Sequence, residues 1–346
     1  MSATLPKFPR EAPGSIWADP RLFPPPDQDN AWAINQALDW TDWNSPITFP
    51  GCFPWLPKGY NIIAEGAGMI PDRAGLCKSN REHHARKGIT RSLAEFFPGQ
   101  TMDAMNGRVV ILCGSGPSLG MNLNALAKAR QEGAAVVVVN GALKMVPDAD
   151  VFFALERCSK PEWWANVNPW KVPIWTSPSA WYSIADHWPT DRRFYFLHHW
   201  DVFDKWPDRP PIIDRLIQTH SCMVSSINAV QLVSFCGPKE IWLLGQDFSG
   251  IIWFDPRTKQ AVGGAYYADG TFPKELSGEL GVIVPSVGGG NCGSTARLQS
   301  MGQAFKRACE LITVNADIPV YNCGRFGIID LPEAPEWKRY AGAKAA

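Results

Sequence analysis

The chain has 346 residues, 33 of them basic and 33 acidic, with no basic block or stripe. That length accommodates one large domain or two modest ones with a sizeable buried core. The charge balance argues against nucleic acid or an anionic membrane as the main partner.

The 9 cysteines are widely spaced and include no CxxC pair, so no zinc or iron–sulfur site is expected, and a reducing compartment is. The first residues, MSATLPKFPREAPGS, hold no apolar signal core. No run reaches the roughly 18 apolar residues of a membrane span. The expectation is a cytoplasmic protein with no integral membrane contact.

Residues 1–104 read as an N-terminal extension rich in proline and tryptophan. Segments such as LFPPPDQDN and ITFPGCFPWLPKGY are broken by proline, which interrupts helices and interior strands alike. NAWAINQALDW and SNREHHARKGITRSLAEFF fit short helices, with the adjacent His83 and His84 expected at the surface. Trp17, Trp40 and Trp43 would either dock a partner or pack on the domain.

From Val109 the pattern changes. VVILC is a short apolar run; SLGMNLNALAKARQEG has helical spacing and ends in glycine; AAVVVVN and DVFFALE are further buried strands. VPIWTS and RRFYFL continue the series, the latter running on to His198 and His199. HSCMVSSINAVQLVSFCGPKEIWLLGQD reads as an apolar helix and then a strand. The stretch FDPRTKQAVGGAYYADGTFPKELSGELGVIVPSVGGGN reads as loop, STARLQSMGQAFKRACELI as an amphipathic helix, and IPVYNCGRFG contains a last strand. Strand and helix alternate, which predicts an α/β, Rossmann-like domain over 105–330. Its sheet is mostly parallel with helices on both faces, and residues 331–346 form a tail. Ligands of such sheets bind beyond the strand C-termini.

Gly114, Ser115, Gly116, Pro117 and Ser118 stand between the first strand and its helix. Glycines there permit a tight turn, and the amides opening a helix can hold phosphate. Ser118 would cap the helix or bond the ligand. The dinucleotide fingerprint fails at Leu119, and no GK[ST] follows.

The order of the pieces resembles a superfamily that joins the 6-hydroxymethylpterin diphosphokinase MptE-like domain, the motility accessory factor glycosyltransferases and certain bacterial sialyltransferases. The matching motifs are GSGPSL (Gly114–Leu119), VVVVNGAL with Asn140, PDADVFFALE with Glu156, CGPKEIWLLGQDF (Cys236–Phe248), NCGSTARLQSMGQAFKRACE and VYNCGRFG. They span about residues 108–330. The resemblance implies a nucleotide-binding domain whose phosphate lies on residues 114–118, with Asn140, Ser225 and Ser226 reaching the donor. The sialyltransferase-like members use a histidine after the GxDF strand as general base. Here no histidine follows His220, and Tyr266 and Tyr267 stand nearest the expected place. A phenol suits hydrogen bonding to a departing phosphate better than proton abstraction.

Three readings follow. The first is a glycosyltransferase using a nucleotide-activated sugar such as a CMP-nonulosonic acid, with an unidentified glycan, protein or small-molecule acceptor and no metal or other cofactor. Its catalytic candidates are Tyr266, Tyr267 and His220. The second is ATP-dependent pyrophosphoryl transfer of the 6-hydroxymethylpterin diphosphokinase MptE-like type. That chemistry needs Mg²⁺, for which Asp247 and Glu156 are the carboxylates at strand ends; Asp247 equally fits a turn cap. The third is a non-catalytic module that kept the fold.

Overall fold

The computed structural model describes residues 73–156, 161–198, 206, 209–217, 219, 224–254, 261–265, 267–270 and 282–341. Trp17, Trp40, Trp43, His199, His220 and Tyr266 lie outside the described residues.

The strands, in chain order, are β1 Val109–Cys113, β2 Ala135–Val139, β3 Val151–Ala154, β4 Ile174–Thr176, β5 Arg193–Tyr195 and β6 Glu240–Leu244. Then come β7 Ile251–Phe254, β8 Ala261–Ala265, β9 Val282–Pro285, β10 Asn291–Ser294 and β11 Val320–Asn322. The helices are α1 Arg73–Arg86, α2 Pro117–Met121, α3 Leu123–Gln131, α4 Ser183–His187, α5 Ser225–Phe235, α6 Ala296–Ala316 and α7 Trp337–Ala341.

Seven strands form one sheet in the order β11-β6-β1-β2-β3-β4-β5, and every pair in it is parallel. The fold is therefore mixed α/β around a parallel sheet. The inner strands β1, β2 and β3 are apolar throughout because both faces are covered. Val110 and Leu112 point into one core with α5 and α6; Ile111 and Cys113 point into the other with α3, Trp164, Trp188 and Trp337. The chain steps from β1 out to β5 and then returns to the opposite side of β1 as β6. The winding reverses between β1 and β6, and this leaves a crevice beyond their C-terminal ends.

Several expectations change. His84 is not a surface residue: it is fully buried, because α1 lies on the sheet edge with Asn80 and Arg81 also turned inward. The boundary expected at 104 falls inside the packed unit, since Leu93, Phe96, Phe97 and Met105 share a core with β1 and α5. Tyr195 N also donates to Arg91 O at 3.0 Å. The tail is likewise packed, with Trp337 and Tyr340 in the second core. The helix expected after the glycine turn is two helices. Asn122 divides them, its Nδ2 donating to Ser118 O at 2.8 Å. The stretch expected as loop contains β8 and β9, which pair antiparallel with β7 and β10 at its two borders, and a bridge between Gly250 and Gly293 joins the two pairs. Glycine-rich strands pair through their backbone, which apolar periodicity does not reveal.

Candidate functional site

A cavity of about 570 Å³ opens in the crevice between the ends of β1 and β6. Its wall includes Gly114–Gly116 after β1, Asn140 after β2, Glu156 beyond β3 and Gly245–Ser249 after β6. The start of α5 adds Val224, Ser225 and Ser226; α6 adds Leu298 and Met301; Tyr267–Asp269 and Trp163 close the rim. The motif residues, drawn from Gly114 to Met301, thus meet in one place. Pro117 and Ser118 lie just behind the wall: both are buried, and only their neighbours line the cavity.

The glycine turn owes its composition to backbone packing. A Cβ on Gly114 would lie 2.5 Å from Gly245 O, and one on Gly245, at φ +66, would strike Gly114 O. A Cβ on Gly116 would lie 2.6 Å from the Asp247 carboxylate. The glycines therefore let the turns after β1 and β6 lie against each other. The same contacts engage the amides expected to hold phosphate. Gly114 N donates to Leu244 O at 2.7 Å and Gly116 N to Gly245 O at 2.9 Å. Ser118 N donates to Asp247 Oδ2 at 2.7 Å, and Ser118 Oγ donates to Asp247 Oδ1 at 2.6 Å while accepting from Gly245 N at 2.8 Å. Among the described residues only the amide of Ser115 remains without a partner in this turn, Pro117 having none to offer.

Asp247 thus holds the amide and hydroxyl of Ser118 at the start of α2, a turn remote in sequence, rather than the turn that follows it. Burial pushes its carboxyl up to about 7, and the two bonds from Ser118 only partly offset this. The backbone is strained on either side of the crevice. Asn140 and Phe248 both adopt φ 49, a region asparagine tolerates and phenylalanine rarely enters.

A second carboxylate stands at the start of α5. Glu156 Oε1 accepts from Ser225 Oγ at 2.9 Å and from Asn140 Nδ2 at 3.0 Å. Beside it Ser226 Oγ donates to Gln246 Oε1 at 2.6 Å. The starts of α2 and α5 therefore already carry a carboxylate from the end of a neighbouring strand. Glu156 and Asp247 have separate partners, and no group of three or more His, Cys, Asp and Glu suited to a metal ion occurs among the described residues.

The turn at Tyr267–Gly270 is held on the glycine turn: Ala268 N donates to Ser115 O at 2.8 Å, and Gly120 packs against Ala268 O. Tyr267 accordingly lines the same cavity as Ser115. His198 is buried and does not line it. Lys144, Trp163, Glu162 and Gln246 line the cavity without having been singled out in the sequence. Gln246 lay within the GQDF motif, where its position at a strand end was the available signal; Trp163 sits on a short 3-10 turn with none.

The fold and site together define a doubly wound α/β protein with a cavity of mixed polar and apolar lining at its switch point. No protein-family model and no curated protein matched the chain on comparison. Among the described residues no helix is long and apolar enough to cross a membrane.

Proposed function

We propose that this protein is a glycosyltransferase-like enzyme on a Rossmann-like frame, acting on a nucleotide-activated sugar. The observation that carries the reading is the convergence on one switch-point cavity of Gly114, Ser115, Gly116, Asn140, Glu156, Ser225, Ser226 and Asp247. Cavities of a few hundred Å³ at such crevices are the usual place for nucleotide ligands.

The wall favours a donor with a single phosphate. Lys144 is its one cation among the described residues, and most amides of the glycine turn are engaged. One phosphate resting on Lys144 and on the amide of Ser115 fits that supply better than a triphosphate does. Tyr267 lines the same cavity, which supports a role for it in donating a hydrogen bond to that phosphate as it leaves, one that needs no proton acceptor at neutral pH. Pyrophosphoryl transfer through Mg²⁺ would require Asp247 and Glu156 to leave the serine and asparagine groups they hold. CMP-linked donors are the class in which a sugar is carried on one phosphate.

A thermal-shift series with CMP, UDP, GDP, ADP and ATP, each with and without Mg²⁺, tests the reading. A metal-independent rise in melting temperature with a monophosphate is expected. Once a donor is found, Tyr267→Phe should lower turnover by about tenfold to a thousandfold with a smaller change in nucleotide affinity. A strictly Mg²⁺-dependent response to ATP alone, or no nucleotide response, would overturn it.

A further inference from the structure

Two side chains in the cavity wall carry buried hydrogen-bonding atoms with no partner, and they are of opposite kinds. Gln246 is only 6 % exposed; its Oε1 is held by Ser226 Oγ at 2.6 Å, which turns Nε2 toward Gly114, where no acceptor meets it. Asn140 gives its Nδ2 to Glu156 at 3.0 Å, and its buried Oδ1 receives no donor. One orphan is a donor and the other an acceptor. Leaving such atoms unpaired costs about 1–3 kcal/mol each, so a group in the cavity that supplies both partners is favoured.

The chemistry of the occupant follows from what can serve both. A phosphate or carboxylate offers acceptors alone: it would satisfy Gln246 and leave Asn140 orphaned. It would also approach two helix starts at which Glu156 and Asp247 already stand. An ammonium offers donors alone and leaves Gln246 orphaned. A hydroxyl both donates and accepts, and neighbouring hydroxyls on a ring satisfy the pair together. Trp163 reaches the same space from the side of Gly141, to which its indole nitrogen is the nearest ring atom. An indole beside polar groups suits the C–H face of a sugar ring.

We propose that the inner wall of the cavity binds a polyhydroxylated ring through Asn140 and Gln246 with Trp163 alongside, and that any phosphate attached to this ring lies outward at Lys144. The inference rests on the nucleotide-sugar reading and specifies which part of the ligand goes deepest. Both residues line the cavity and both orphan atoms are buried, so a small shift of each carboxamide, its other atom still held by Ser226 or Glu156, brings it to the ring as it enters. The ring is either the ribose of a nucleotide or the sugar it carries.

Calorimetric titration of the full chain separates these sources. The probes are the four ribonucleosides, their 2′,3′-dideoxy counterparts, glucose, N-acetylglucosamine and inorganic pyrophosphate. If ribose is bound, at least one ribonucleoside binds, and its dideoxy counterpart binds at least tenfold more weakly, about 1.4 kcal/mol. If the carried sugar is bound, a monosaccharide binds instead. In either case Gln246→Met and Asn140→Gly, the latter compatible with φ 49, should each weaken that binding at least tenfold. The dideoxy comparison stands even where a variant does not fold. The proposal is overturned if none of the hydroxylated probes binds, if folded variants bind them as the parent does, or if pyrophosphate alone binds and the two variants abolish it. A nucleotide that stabilises the protein but ignores both variants overturns the ring site and leaves the nucleotide reading intact. Monosaccharide binding lost in the variants, with no nucleotide effect, supports the ring site and refutes the nucleotide.

Discussion

Asp247 sets the behaviour of the crevice at the scale of single residues. It is buried against Gly116, it bonds Ser118 twice, and its carboxyl is raised to about 7. The folded state therefore retains a proton that the unfolded chain, with an ordinary carboxyl near 3.8, has already released. For such a raised group stability is greatest below the unfolded value and falls as pH rises toward 7, by at most about 1.4 kcal/mol per pH unit. Asp247→Asn keeps the shape and removes the titration. Urea unfolding of parent and variant between pH 4.5 and 8 should show this falling component in the parent alone; a slope shared by both would show that Asp247 does not titrate in this window. The proximity of Gly116 to the same carboxylate has a practical consequence. A bulky residue at Gly116 displaces the cap of α2, so it probes folding before it probes ligand binding.

At the scale of elements, α1 shows how a helix of polar appearance joins a core. Its sequence, RAGLCKSNREHHAR, has almost no apolar stripe. It is held instead by buried polar groups. His84 Nδ1 accepts from Tyr195 Oη at 2.9 Å, and His84 Nε2 donates to Ala180 O at 3.1 Å. Asn80 Nδ2 donates to Ser179 O at 3.0 Å. Burial, with Arg193 nearby, lowers the His84 pKa to about 3, so the ring stays neutral where a free histidine is charged. The sign is opposite to that of Asp247. The unfolded chain binds a proton below about 6.5 and the folded one does not, so stability is lost as pH falls from there toward 3. His84→Gln should flatten this acid-side loss while lowering stability at pH 7.5 by about 1–3 kcal/mol, because one of the two buried partners loses its bond. Denaturant midpoints at pH 5 and 7.5 measure both effects. Equal acid sensitivity in parent and variant would refute the assignment.

On the scale of the whole molecule, the sheet is closed on both sides by segments at the two ends of the described chain. Leu93 and Phe96 cover one face, the latter ring meeting Trp175 and Phe194 edge-on at 5.0 and 4.8 Å. Trp337 covers the other, 5.7 Å from Trp242 of β6, and Tyr340 Oη donates to Glu132 Oε2 at 2.9 Å beyond α3. The residues after 331 are thus a structural seal on the second core. Trp337→Ala should cost about 3–5 kcal/mol by leaving a cavity against β6. A melting temperature within a degree or two of the parent would mean that this segment rests on the domain without sealing it.

What the sequence determined by itself is the frame. Strands buried on both faces must be continuous apolar runs, so VVILC, AVVVV and VFFA announce themselves locally, and the alternation with helices places their C-termini at one edge. The glycines of GSGPS marked a tight turn for the same local reason. The tertiary structure alone decided what that turn touches. The partner of Ser118 lies 129 residues away, and Tyr195, which donates to His84, lies 111 residues from it. Nothing in the neighbouring sequence distinguishes an amide that waits for a phosphate from one that bonds an aspartate of the same chain. Nor does it distinguish a histidine in water from one held between a tyrosine and a carbonyl. Those outcomes depend on which groups the folded sheet brings within hydrogen-bonding distance after water has been excluded.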